Sequence, residues 1–353
     1  MSKVKIYGTL GPACSDPGIL RRMFEEGMDG IRLNLSHTTL DDAADLISSY
    51  HKAAESCGVR DPELLIDMQG PELRIGRLDQ PLLLEEGELI PPGMIPFPDA
   101  VSEMLQKASR EAEDVSGGSH STGREILLDD GKILLRTEWQ YPARESRALK
   151  LRVIRGGILA SRKSVALPGH SLCSPAMTAE DLMNIRKAKL YGVTAVMQPF
   201  VRGREDLEDV RRALDACGCE DIRLFAKIEN TAGFGKLDEL IPCCDEIVIA
   251  RGDLGNSMEL WELPAVQKKI SAACRTAGRD FMVVTQMLDS MVHRQIPTRA
   301  EVSDIFNAVL DGASSVMVTG ETASGEHPVL AIRYLARTVR EAEKFRSECQ
   351  WQQ

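Results

Sequence analysis

Two carboxylates and a lysine fall close together in the carboxyl half of the chain. Lys227 and Glu229 lie in the run Lys227-Ile228-Glu229-Asn230, and Asp253 lies in Arg251-Gly252-Asp253-Leu254-Gly255. Glu229 and Asp253 could supply two carboxylates to Mg²⁺, which keeps waters and substrate oxygens for its other octahedral positions. Lys227 would point into the same mouth, with Arg32 and Arg74 opposite, placing cations beside a metal. That combination suits phosphoryl transfer, where positioning and charge neutralisation do most of the catalysis. The short oxygen donors Asn34, Ser36 and Asp67 could hold a second, monovalent cation. Gly252 would let a helix amino terminus approach a ligand carboxylate closely.

These residues need elements that bring them together. Short apolar β-rich runs alternate with amphipathic helical patterns almost from end to end, the signature of βα units and a parallel sheet. The pattern predicts eight strands, at Val4–Leu10, Gly30–Asn34, Leu64–Asp67, Ala195–Phe200, Leu224–Glu229, Glu246–Arg251, Phe281–Thr285 and Ser315–Thr319. It predicts helices over Asp16–Glu26, Thr39–Cys57, Thr178–Leu190, Glu205–Ala216, Pro264–Thr276 and Arg299–Leu310, with a last one from Pro328 to about Ser347. Thr178 followed by Glu180 and Asp181 resembles a capping start. Eight strand–helix repeats favour a closed (β/α)8 TIM barrel, of α/β class, over an open sheet. Its active site forms at the carboxyl ends of the strands, where the candidate residues stand.

The alternation breaks between the third and fourth strands. A Pro-rich stretch at Ile90–Pro98 precedes a helical face of Val101, Met104, Leu105, Ala108 and Ala112, then a Gly/Ser loop at Ser116–Gly123. Ile126–Leu128 and Ile133–Leu135 flank Asp129-Asp130-Gly131-Lys132, a hairpin with Asp-Gly turn chemistry. This gives a small β-rich domain at about 75–165 inserted into a barrel made of 1–74 and 166–353.

Composition bounds the partners. Of 353 residues, 43% are apolar and 27% charged, enough apolar content to bury a sizeable core and exclude wholesale disorder. The net charge of −10 argues against a general nucleic-acid or anionic-membrane binder. No leader peptide or apolar span is evident, and nine scattered cysteines without a C-x-x-C pair fit reduced thiols, so the expected location is cytoplasmic. Cys243 and Cys244 are read as buried small apolar residues, His293 and His327 as loop histidines, and Trp261 as packed near a helix start.

The runs Gly8–Ala13, Arg32–His37, Asp67–Arg74, Lys227–Asn230, Ala250–Gly255, Thr285–Met291, Pro297–Glu301 and Gly320–Ala323 together resemble pyruvate kinase, in family order across nearly the whole chain. The inserted segment is similar to that family's lid domain at Asp129-Asp130-Gly131, Gly156-Gly157 and Leu167-Pro168-Gly169. The resemblance implies phosphoryl transfer between phosphoenolpyruvate and ADP, giving pyruvate and ATP. Carried over by position, Lys227 stabilises the moving phosphoryl group and the enolate, and Arg32 contacts the phosphoryl group. Thr285 helps hold substrate and the water network that protonates the enolate; Arg74, Gly252 and Asp253 complete the substrate side. Glu229 and Asp253 bind Mg²⁺ or Mn²⁺; Asn34, Ser36, Asp67 and the Met68 carbonyl bind K⁺, and Glu72 agrees with a K⁺-dependent type. Pro12, His37, Asp130 and Lys163 match positions on the nucleotide side.

Departures from the family pattern fall mostly on that nucleotide side. Gln69 and Ser324 stand where lysines are usual, Pro199 where serine is usual, and Ala166 where asparagine is usual. Nucleotide identity is therefore left open. So are two rival readings: a Mg²⁺-dependent lyase or decarboxylase acting on a keto acid, and a phosphoenolpyruvate- or pyruvate-binding regulatory barrel. Ending at Gln353, the chain is expected to lack the family's carboxyl-terminal α/β domain and its effector site. Barrel faces leave room for a homodimer.

Overall fold

Eight parallel strands hydrogen-bond in a ring, and each is short because it crosses a barrel wall once. The computed structural model describes residues 3–36, 38–70, 72–114, 123–129, 131–140, 148–168 and 175–348. In chain order the strands are β1 Lys5–Thr9, β2 Gly30–Asn34, β3 Glu63–Asp67, β4 Leu73–Arg74, β5 Leu82–Leu84, β6 Leu89–Ile90, β7 Glu125–Leu128, β8 Ile133–Gln140, β9 Ala148–Arg155, β10 Gly157–Leu159, β11 Ser164–Ala166, β12 Ala195–Gln198, β13 Arg223–Ile228, β14 Glu246–Ala250, β15 Asp280–Val284 and β16 Ser315–Met317. The barrel closes in the order β1, β2, β3, β12, β13, β14, β15, β16 and back to β1. All eight predicted barrel strands form, most of them ending one or two residues sooner than the apolar runs suggest, and the α/β barrel class holds.

The helices are α1 Pro17–Glu26, α2 Ala44–Ser56, α3 Asp99–Asp114, α4 Ala179–Lys187, α5 Arg204–Ala216, α6 Thr231–Gly235, α7 Leu237–Leu240, α8 Arg251–Asn256, α9 Leu263–Ala277, α10 Arg299–Leu310, α11 Gly320–Ala323 and α12 Pro328–Glu348. Local chemistry sets their starts. Asp16 accepts from the Ile19 amide at 3.0 Å ahead of Pro17, and Thr178 with Asp181, then Thr298 with Glu301, form complete capping boxes. The second helix begins at Ala44 rather than Thr39, because Thr39 Oγ1 bonds Asp42 and holds the preceding residues in turns. The short helices α6, α7, α8 and α11, absent from the sequence reading, fall below the length at which hydrophobic periodicity can be read.

Side-chain alternation along the strands sorts the tube into layers. Its middle is apolar: Tyr7, Leu65, Met197, Phe225, Val248, Met282 and Met317 pack as one buried cluster. Each such burial contributes about 1.5–3 kcal/mol relative to exposure. Two residues further along β3 and β13 from Leu65 and Phe225 come Asp67 and Lys227, at the carboxyl end. Two residues back come Glu63 and Arg223, at the amino end.

The chain divides into two compact units, residues 1–71, 175–255 and 259–353 in one, and residues 72–174 with 256–258 in the other. Leu73 and Arg74 are a strand of the second unit's six-stranded sheet, ordered β4-β11-β7-β8-β9-β6. The expected hairpin is present, with Leu128 opposite Ile133. Val101 and Leu105 of α3 are buried in this unit's core, with Met104 packed against it. Asp130, most of the Ser116–Gly123 loop, and His37 lie outside the described residues. Cys244 is buried while Cys243 is only half-buried, and Trp261, expected to pack, is 77% exposed just before α9. The seven described cysteines are free, and among the described residues no helix is long and apolar enough to cross a membrane.

Candidate active site

At the carboxyl end of the barrel, β3 and β13 hold an alternating array of charge. Lys227 Nζ lies 3.0 Å from Asp67 Oδ2 and 2.9 Å from Glu229 Oε1. Because β12 separates β3 from β13, Lys227 can reach Asp67 only through the inside of the barrel. From β2, Arg32 donates to the same Asp67 Oδ2 through Nε at 2.9 Å and Nη2 at 2.7 Å. Asp67 and Glu229 are 2% and 3% exposed, so both carboxylates depend on these partners for solvation. Burial works against the Asp67 charge, but Lys227 and then Arg32 hold its carboxyl below its ordinary range. Burial likewise opposes the Lys227 charge; attraction to Asp67 and Glu229 overrides it and holds the ammonium well above the usual lysine range.

Glu229 has a second tie. Its Oε2 accepts the Phe200 amide at 2.7 Å, from a residue with φ +52° just beyond β12. The loops after β3 and β12 approach closely, and a Cβ on Gly70, itself at φ +58°, would come within 2.4 Å of Pro199 Cγ. The preceding Gln69 donates to the Leu35 carbonyl at 3.2 Å and to Glu180 at 3.1 Å, so this glutamine is held by neutral and acidic partners on the barrel. Asp181, fully buried, takes the amides of Gln69, Gly70 and Thr178.

The other sequence-derived residues distribute as follows. Asn34 Oδ1 accepts the Ser36 amide at 3.1 Å beside the end of β2, and the Met68 side chain is buried beyond β3. Asp253 stands in the first turn of α8, which follows β14, the strand paired to β13. Pro12 begins a 3-10 turn after β1. Gly252 packs on Thr285, where a Cβ would meet Cγ2 at 3.1 Å. Arg74 belongs to the second unit, bonded to Glu72 and the Arg162 carbonyl, and Lys163 there pairs with Asp129 at 2.7 Å.

Several motif residues prove to be ties. Glu321 is buried and accepts the amides of Leu288 and Thr319, linking the ends of β15 and β16. Thr322 Oγ1 bonds the backbone of Thr9 and so joins α11 to β1. The Glu301 carboxylate accepts from Ser290 Oγ and amide as well as from the amide and hydroxyl of its cap, Thr298. Ser324 donates to the Gly320 carbonyl at 3.3 Å.

The donor set tests the implied cations. Each Glu229 oxygen accepts one hydrogen bond and keeps further lone pairs, and Asp253 supplies another hard oxygen, which fits a divalent ion that completes its shell with water and substrate. Asn34, Ser36, Asp67 and the Met68 carbonyl are likewise all oxygen donors and fit a larger monovalent ion. Among the described residues no group of three acidic, histidine or cysteine side chains gathers as a metal cluster.

A closed parallel βα barrel with lysine, arginine and carboxylates at its mouth defines an α/β barrel protein with a charged site at the carboxyl ends of its strands. A family model described as the barrel domain of pyruvate kinase matches residues 1–332. A pyruvate kinase of Aeropyrum pernix is 35% identical over 341 residues, covering 97% of this chain and 71% of the relative. One of Corynebacterium glutamicum is 36% identical over 345 residues, covering 97% and 70%. Pyruvate kinase 2 of Saccharomyces cerevisiae is 35% identical over 347 residues, covering 97% and 67%. The chain belongs to the pyruvate kinase family and is an enzyme of that family.

Proposed function

We propose that the chain transfers a phosphoryl group between phosphoenolpyruvate and ADP, with pyruvate and ATP as products. The bond from phosphorus to the enol oxygen breaks, a bond to the terminal oxygen of ADP forms, and the enolate takes a proton at carbon. The observation that carries this reading is the Asp67–Lys227–Glu229 array with Arg32 beside it. Lys227, kept charged and fixed by two carboxylates, would stabilise the transferring group and the enolate oxygen. Arg32 would bind phosphoryl oxygens, and Thr285 would position substrate and the water that protonates the enolate.

Two cations and two carboxylates cancel within this array, so an arriving phosphate ester needs further positive charge. A divalent ion held by Glu229 and Asp253, Mg²⁺ or Mn²⁺, would supply that charge to substrate oxygens when bound. K⁺ would rest on Asn34, Ser36, Asp67 and the Met68 carbonyl. Gly252 would leave room for the substrate carboxylate. Pro12 would stand on the nucleotide side. A cytoplasmic setting agrees with the free described cysteines, three of which, Cys14, Cys244 and Cys274, have thiols pushed up to about 11, 12 and 12 by burial.

The test is pyruvate release from phosphoenolpyruvate over a panel of nucleoside diphosphates, with Mg²⁺ and with or without K⁺. Turnover with at least one nucleotide supports the reading, and none with any of them sinks it.

A further inference from the structure

Thr285 follows the last residue of β15 with φ +81°, and Gln286 follows at φ +53°. A β-branched residue in the left-handed region is costly, on the order of 1–3 kcal/mol, and persists only where its surroundings over-determine it. Here the constraint can be identified. The Thr285 carbonyl accepts two hydrogen bonds from one guanidinium, from Arg251 Nε at 3.1 Å and Nη2 at 2.7 Å. The remaining nitrogen, Nη1, is anchored on Asp304 Oδ2 of α10 at 2.6 Å. Arg251 is 12% exposed, and its planar fork is fully used in a way a lysine ammonium cannot copy. The next residue, Gly252, makes room for the Thr285 methyl group. One dipeptide at the start of α8 thus grips the Thr285 backbone and receives its side chain.

We infer that Arg251 is a positioning residue for the reaction: anchored by Asp304, it holds the Thr285 peptide in its left-handed conformation and so fixes where the Thr285 hydroxyl sits. This rests on the role given to Thr285 under the proposed function. Arg251 acts through Thr285 rather than on a reacting atom.

A double-mutant cycle on kcat tests it, with Arg251→Lys, Thr285→Ala and the double variant assayed alongside the wild type, and Asp304→Asn as a second route to the same defect. Arg251→Lys keeps a cation beside Asp304, so the fold has its charge partner, and thermal unfolding checks this. The expected result is a loss of about 10- to 100-fold in kcat for Arg251→Lys in the wild-type background, since small misplacements of a catalytic group cost that much. In the Thr285→Ala background the same change should cost less than about twofold, because no hydroxyl remains to be positioned. Asp304→Asn should lower kcat in the same direction and lose that effect in the Thr285→Ala background. Equal losses in both backgrounds overturn the inference while leaving the proposed reaction standing. Full kcat in Thr285→Ala alone overturns the role of Thr285 and this inference with it.

Discussion

Lys227 Nζ lies 3.2 and 3.0 Å from the two carboxylate oxygens of Asp67, a residue 160 positions away in the chain. The contact spans the inner face of β12 and is shared with Arg32, so the Lys227 ammonium is not a free side chain but one arm of a buried charge network. Electrostatic catalysis requires a charge already in place where charge develops.

Lys227→Met should therefore leave the barrel folded and lower turnover about 10³-fold or more, since transition-state charge loses its partner. Circular dichroism checks the fold and the pyruvate assay checks the rate. A loss below about tenfold would show that Lys227 does not carry that charge.

Asp67→Asn should cost about 3–5 kcal/mol in urea unfolding at neutral pH, because two buried cations lose a shared carboxylate. The Asp67 carboxyl is held below its ordinary value in the fold, so its stabilising contribution is present above the ordinary carboxylate range and lost as pH falls through the depressed value. The stability gap between wild type and variant should narrow at about pH 3. A gap that stays constant with pH would rule this out.

Glu246 behaves in the opposite sense. It is fully buried at the amino end of β14 and bonded to Ser315 Oγ at 2.5 Å and Ser314 Oγ at 3.3 Å. Burial pushes its carboxyl up to about 7, while the Ser315 hydroxyl and Arg223 pull it partly back and Asp280 raises it further. A raised folded value means that its contribution is complete below the unfolded value near 4.5 and is lost as pH rises through about 7. Glu246→Gln should remove this dependence, gaining up to about 3 kcal/mol over the wild type at pH 8 and little at pH 5. Thermal unfolding across that interval decides it, and parallel pH profiles would refute it.

Glu229→Gln and Asp253→Asn should each raise the Mg²⁺ concentration for half-maximal activity, by more than the 10- to 100-fold typical of outer-shell partners. Chelation should abolish turnover in the wild type, and added Mg²⁺ or Mn²⁺ should restore it. Unchanged metal dependence in both variants would place the ion elsewhere.

The strand pattern, the interruption after β3 and the nearness of Lys227 to Glu229 were legible because each rests on neighbours in sequence. Alternation over four to eight residues predicts a strand, and a capping box needs only four, as at Thr178. The lower charged layer was not legible. Glu63 meets Lys5, Tyr7 and Arg223, and Arg223 lies over the Phe225 ring at 5.1 Å. Nothing in the local pattern around Glu63 or Glu246 distinguishes them from surface charges. The period-two rule run backward from Lys227 through Phe225 would have placed Arg223 inside. Motif residues such as Glu301 and Glu321 were visible as motifs, but their work as backbone ties needed coordinates.

By itself, the sequence determined which barrel strands and long helices form, in what order, and which residue types stand at the strand ends, because helix and strand patterns follow periods of 3.6 and 2 residues. Tertiary structure decided the pairings: Lys227 with Asp67 across β12, Arg251 with the Thr285 carbonyl, Glu246 with two serines. Those pairings depend on barrel closure, which brings residues 34 to 160 positions apart within hydrogen-bond distance and removes the water that would otherwise compete for them.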